Sequence, residues 1–233
     1  MLSGDATATP KAHDGPVECL RVLKMVQRSA TKNRTQSLNQ LRNLIATAPD
    51  ELRSRLRGLK TTELLETCAA FRIPTDDDSL ARITRLALRE LAQRIALLRE
   101  QLQRLRVRLE RIARTAAPEL IAAHGVGPDP ASTLLLTAGD NPDRVRNEDP
   151  WAALLSSCPI PASSGKTNRH RLNRGGDRQA NSALWRMAIV RMRSNPDTQK
   201  EIKEGKSKPE AIRCLKRYIA RELYTKLPTQ ALA

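Results

Sequence analysis

Apolar residues recur along most of this chain at spacings of three and four, the period of an amphipathic helix. Over 17–48, Leu20, Leu23, Ala30, Leu38, Leu41 and Ile45 fall near that spacing, while Arg28 to Ser37 is polar, which predicts a partly exposed helix. Pro49-Asp50-Glu51 suits a fresh start, with proline in the first turn and carboxylates at the positive end. That short helix is expected to stop at Gly58, and another covers about 62–71. The stretch 73–79, with Asp76, Asp77 and Asp78, breaks the pattern and reads as a solvated turn capping the next helix.

The clearest period lies in 80–115. Leu88, Leu91, Ile95, Leu98, Leu102, Leu105, Leu109 and Ile112 alternate spacings of three and four without a miss, a coiled-coil seam over four heptads. Arg94, Arg99, Arg106 and Arg108 flank the seam, where interhelical charge pairs form, and no acid joins them. Two arrangements satisfy this pattern. One is an intramolecular helical hairpin whose arginine stems cover the seam. The other is a homo-oligomer whose arginines are neutralised by nucleic acid or an acidic partner.

Ala116-Ala117-Pro118 ends the seam. Beyond it, 118–139 reads as two short helices joined by Gly125-Val126-Gly127, with Val126 plugged into the core. Amides following such a turn at a helix N-terminus can hold a phosphate without reading bases. The same turn also serves as a plain connector. His124 beside it is expected to pack rather than catalyse. Another helix starts at Asp149-Pro150 and runs to Leu155; helices over 177–193 and 207–223 follow, the last opened by a Ser207-Lys-Pro-Glu210 capping box. Arg186, Arg191 and Arg193 are expected to face outward, and Val190 inward. The predicted fold class is therefore all-α, in three parts: a loop over 1–16, a helical connector with the coiled coil over 17–115, and a compact helical domain with a helix-hairpin-helix element over 116–233.

Composition sharpens this picture. Aromatics make up 2% of 233 residues, which argues against an all-β protein and against single-strand binders that work by stacking bases on aromatic side chains. The net charge is +16 and uneven. Residues 1–150 carry 24 basic against 19 acidic side chains, and 151–233 carry 17 against 6, so two thirds of the excess sits in the last third. A polyanionic partner is expected to land there. Cys19, Cys68, Cys158 and Cys214 are widely spaced and read as small buried thiols of a reduced cytoplasm, not as zinc ligands. No apolar run of membrane-spanning length exists, and the first fifteen residues lack the pattern of a signal peptide.

The most unusual run is Cys158-Pro-Ile-Pro-Ala-Ser-Ser-Gly-Lys-Thr-Asn-Arg-His-Arg-Leu-Asn-Arg-Gly-Gly-Asp-Arg-Gln-Ala-Asn181. Its prolines and double glycine deny it helix before Asp177. Together with Gly125-Val-Gly-Pro-Asp129, Ala138-Gly-Asp-Asn-Pro142 and Ile212-Arg-Cys-Leu-Lys-Arg-Tyr-Ile-Ala-Arg-Glu222, it resembles the C-terminal domain of the insertion-sequence one-ten/one-sixteen/nine-oh-two family of transposases. The resemblance is close over about 116–227.

The resemblance implies a DNA recombinase in which a serine attacks a phosphodiester and links covalently to DNA. It implies a RuvC-like nuclease domain whose Asp-Glu-Asp-Asp tetrad holds Mg²⁺, and a noncoding bridge RNA that guides target choice. The serine maps to Ser164, directly before Gly165. Serine hydroxyl is a weak nucleophile that needs a base or metal; Lys166, Arg169, Arg171, Arg174 and Arg178 would hold phosphate and oppose developing charge. Gly125 and Gly127 complete the expected nucleic-acid-binding set. No βαβ-like segment precedes residue 17 and no tetrad can be assigned, so the expectation is a truncated copy, or an internal start codon taken as the beginning. On that reading this chain holds no metal and is inactive alone. The rival reading is a noncatalytic nucleic-acid-binding protein whose turn and basic loop grip backbone; a third is a coiled-coil interaction subunit.

Overall fold

The computed structural model describes residues 14–73, 79–139, 145–158, 160–161, 170–171, 173–194 and 208–228. It is all-α. In chain order the helices are α1 (Gly15–Ala46), α2 (Asp50–Leu56), α3 (Thr61–Ala69), α4 (Leu80–Ala116), α5 (Pro118–Ala122), α6 (Pro128–Ala138), α7 (Glu148–Leu154), α8 (Arg178–Ser194) and α9 (Lys208–Tyr224). Two residues on each side, Ile160–Pro161 (β1) and His170–Arg171 (β2), pair antiparallel between α7 and α8. The Asp76–Asp78 turn and the capping-box residue Ser207 lie outside the described residues.

Contacts divide the chain into two compact units, one of Met25–Val107 and one of Met1–Lys24 with Arg108–Ala233. The Met25–Val107 unit is built on the seam. Leu88, Ala92 and Ile95 of α4 share a buried cluster with Leu41 and Ile45 of α1, Leu52 and Leu56 of α2, and Leu64, Leu65 and Cys68 of α3. Asp50 and Glu51 stand in the first turn of α2, as the start signal predicts, while Pro49 is its N-cap and not within that turn. Within this unit Leu88, Leu91 and Ile95 of the seam are thus covered by helices of the same chain.

In the other unit Leu20 of α1 and Leu109, Ala113 and Ala116 of α4 join a cluster completed by α5 to α9. Helix α8 packs on α6 and α9, and α9 also packs on α7. Trp151 is fully buried there, and its indole N–H donates to the Ala220 carbonyl at 3.0 Å, joining α7 to α9. A buried indole donor left unpaired would be costly, so this bond fixes depth as well as direction. Of the four cysteines only Cys68 is buried; Cys158 and Cys214 are half-buried and Cys19 is exposed on α1. The expectation of four buried thiols fails at Cys19 because that position faces away from the Val17–Leu20–Lys24 stripe.

Candidate nucleic-acid interface

Residues Ser164, Lys166 and Arg169 lie outside the described residues, as does the side chain of Arg171. What is described is the frame on either side of them. Ile160 pairs with Arg171 and Pro161 with His170, so the two ends of the Ser-Ser-Gly segment are brought together. Just outside this ladder, Asn173 Nδ2 donates to Cys158 Sγ at 2.8 Å and Asn173 Oδ1 accepts from the Gly175 amide at 2.8 Å.

The double glycine then docks on the end of α7. Gly176 N–H donates to Ser156 Oγ at 3.0 Å, and Asp177 N–H to the Leu154 carbonyl at 2.7 Å. A Cβ on Gly176 would sit 2.5 Å from Leu154 O and Ser156 Oγ, and closer still to Ala153 O, so only glycine fits. Ser156 itself adopts φ 53°, a left-handed conformation rare for a residue with a side chain. It is held there by both neighbours: its hydroxyl accepts from Gly176 and its carbonyl accepts from Asn181 Nδ2 at 3.1 Å. Pro150, Ala153, Leu154, Asn173, Gly175 and Gly176 line an open cleft of about 390 Å³ at this junction.

Asp177 caps α8, its Oδ1 accepting from Gln179 N at 2.7 Å and from Ala180 N at 3.3 Å. Its other oxygen accepts from Thr137 Oγ1 of α6 at 2.9 Å. Asn181, one turn into α8, accepts at Oδ1 from Lys216 Nζ of α9 at 2.5 Å. Lys216 is buried, and burial lowers its pKa, because desolvation disfavours the charged form. The run Asn173 to Asn181 is therefore a clamp. It ties the chain on both sides of the Ser-Gly segment to α6, α7, α8 and α9.

The Gly-Val-Gly turn is built as the sequence indicates, with one difference. Gly125 takes φ 78°, Val126 is buried, and Gly127 is the extended N-cap of α6. The next residues are Pro128-Asp129-Pro130, and two of these three have no N–H to offer. The positive end of α6 instead faces Asp129, paired with Lys24 at 2.5 Å and Arg186 at 3.0 Å. Burial pushes the Asp129 carboxyl up, and the two cations together outweigh it and hold it below the usual range. The ring of His124 is exposed, not packed, and bonds Ser194 Oγ at 2.8 Å.

Arg191, predicted to face outward, is buried. Its Nε donates to the His124 carbonyl at 3.0 Å, and its two terminal nitrogens reach both Glu222 oxygens at 2.5 and 3.1 Å. A bidentate carboxylate and a carbonyl together satisfy the fork, which is what lets an arginine leave water. Hydrogen bonding from Arg191 holds the Glu222 carboxyl below its ordinary value. Val190, predicted inward, is 44% exposed. Arg221 and Arg217 converge on Glu148 in the first turn of α7, and the Arg221 hydrogen bond lowers that carboxyl likewise.

Arg174 and Arg178 are exposed at the two ends of the clamp, and Arg186 and Arg193 continue the exposed basic side of α8. Sequence reasoning missed the roles of Lys216, Asn181, Asp177 and Ser156, which depend on partners 20 to 40 residues away or on an unusual backbone angle. Among the described residues no three His, Cys, Asp or Glu side chains gather. Asp129, Glu148 and Glu222 are each paired with cations, and Asp177 caps a helix.

Residues 117–203 match the family model of the Transposase IS116/IS110/IS902 family. That segment holds the Gly-Val-Gly turn, the clamp, the Ser-Gly run between its strands and the whole of α8. No curated protein matches the chain. Among the described residues no helix is long and apolar enough to cross a membrane.

Proposed function

We propose, from the transposase-family match of residues 117–203, that this chain is the DNA-binding, serine-bearing C-terminal part of a transposase. Ser164 is its nucleophile. In the step assigned to it, the Ser164 Oγ–P bond forms and a P–O bond to deoxyribose breaks. The hydroxyl proton passes to a base, and the leaving oxygen takes up a proton. Lys166, Arg169 and Arg171 hold the phosphate as its charge grows, and Arg174 and Arg178 secure the flanking backbone.

The observation that carries this reading is the paired, clamped frame around the Ser-Gly run. Preorganisation of that kind is what a phosphoryl-transfer loop requires, since catalysis there is largely positioning and charge stabilisation. A passive grip on backbone needs no such frame. The turn at Gly125 and Gly127 serves chiefly as a connector, because proline occupies two of the positions whose amides would bind phosphate. A bridge RNA is the second nucleic-acid partner of this reading, and assembly through the seam is not required by it.

On this reading the Mg²⁺-holding tetrad belongs to the nuclease domain, and the isolated chain is expected to bind DNA without cutting it. The test uses labelled element ends. The isolated chain should bind them with a log–log salt slope of about −5 if roughly six phosphates are neutralised, and Arg174→Ala or Arg178→Ala should each lower that slope by about one. A separately expressed nuclease domain of a full-length relative, with Mg²⁺ and guide RNA, should then yield a covalent complex on a denaturing gel that Ser164→Ala abolishes. Binding without any Ser164-dependent adduct would favour the noncatalytic reading. No affinity for nucleic acid would remove both.

A further inference from the structure

The chain has two tryptophans, and they are treated oppositely. Trp151 is fully buried, whereas Trp185, in the middle of α8, is 49% exposed. Helix α8 carries four arginines and no carboxylate. At 100° per residue Arg178, Ser182, Trp185, Arg186 and Arg193 fall on one stripe roughly 100° wide, and all five are exposed. The stripe, which also carries half-buried Ile189, is therefore an indole face set between arginines, beginning within the clamp.

From this juxtaposition we infer that the exposed face of α8 binds an unpaired nucleotide, with its base stacked on Trp185 and neighbouring phosphates on Arg178 and Arg186. Charge complementarity selects a polyanion: α8 carries four arginines and no carboxylate of its own, and Asp129, which pairs Arg186, is itself held by Lys24. The indole then selects among polyanions. In a duplex the base faces are stacked on one another and present nothing to a tryptophan, whereas an unpaired base offers its π-face. The scarcity of aromatics argues against base stacking as a general mode of binding, and the exposed Trp185 confines it here to one unpaired position. The inference rests on the nucleic-acid reading above and adds to it the single-stranded or looped character of the partner at this surface.

The experiment is a titration of the intact chain with a short mixed-sequence single strand and with the matching duplex, read by tryptophan emission. Trp151 is sealed in the core, so a change in emission reports Trp185. The single strand should quench and the duplex should bind with little quenching. Trp185→Ala should weaken single-strand binding by about 5- to 150-fold, the loss of one stacked base, and leave duplex binding within about twofold. Trp185→Phe should keep most single-strand affinity while abolishing the quench. Single-strand binding with unchanged emission, or Trp185→Ala acting equally on both nucleic acids or on neither, would overturn this inference alone. Absence of binding to either nucleic acid would overturn it together with the function it rests on.

Discussion

Gly175 and Gly176 are adjacent and identical in sequence, yet the structure assigns them opposite tolerances. Replacing Gly176 by alanine drives a methyl into the end of α7, 2.5 Å from the Leu154 carbonyl and the Ser156 hydroxyl. These are backbone or backbone-anchored atoms and cannot swing aside. Relief requires the strand to lift, which costs about 1–3 kcal/mol as forced overpacking. Lifting also loosens the Gly176–Ser156 and Asp177–Leu154 hydrogen bonds, each worth about 0.5–1.5 kcal/mol. The expected loss is about 3 kcal/mol, or a fall of roughly 6–12 °C in the melting of the unit that holds it. At Gly175 an added Cβ meets only the Asn173 side-chain oxygen at 3.3 Å, which a small torsion relieves, so Gly175→Ala should stay within about 0.5 kcal/mol. Thermal melts of the two variants by circular dichroism, run beside the parent chain, decide it. Equal melting of all three, or an equal fall in both variants, would refute the close docking of Gly176 on α7.

Three further outcomes follow from the buried polar contacts. Lys216 has a lowered pKa, so its favourable contribution is complete above the unfolded value of 10.5 and declines as pH falls through the lower folded value; the stability of Lys216→Met relative to the parent should therefore be higher near pH 7 than near pH 10.5 in parallel melts, the lost bond to Asn181 being common to both. Glu222 has a lowered pKa through Arg191, so its contribution is present above the unfolded 4.5 and lost as pH falls through the folded value. Glu222→Gln should cost about 1 kcal/mol near pH 7, less than a sealed pair would because the carboxylate is partly exposed, and should flatten the acid side of the stability profile. Asp177→Ala removes a helix cap and the Thr137 bond, and should cost about 2 kcal/mol by denaturant unfolding, with Asp177→Asn recovering most of it.

The sequence alone determined the helices, because each is written locally. The three-and-four period of 88–112, the Pro49-Asp50-Glu51 start and the prolines preceding Ser163-Ser164 act over one or two turns, and α1 to α9 lie close to where those signals point. It also determined the family likeness, since Gly125-Val-Gly127 and the run to Asn181 stand in order within the matched 117–203. Tertiary structure decided everything that depends on a partner distant in the chain. Burying Arg191 is favourable only because Glu222 lies opposite, and leaving Trp185 in water depends on which face of α8 meets α6 and α9. The charge pattern left hairpin and oligomer equally open at the seam; the cluster joining Leu41 and Ile45 to Leu88 and Ile95 covers those positions within the chain. Periodicity says that a face is apolar, but not what will cover it, because burial is a property of two surfaces and a sequence period describes one.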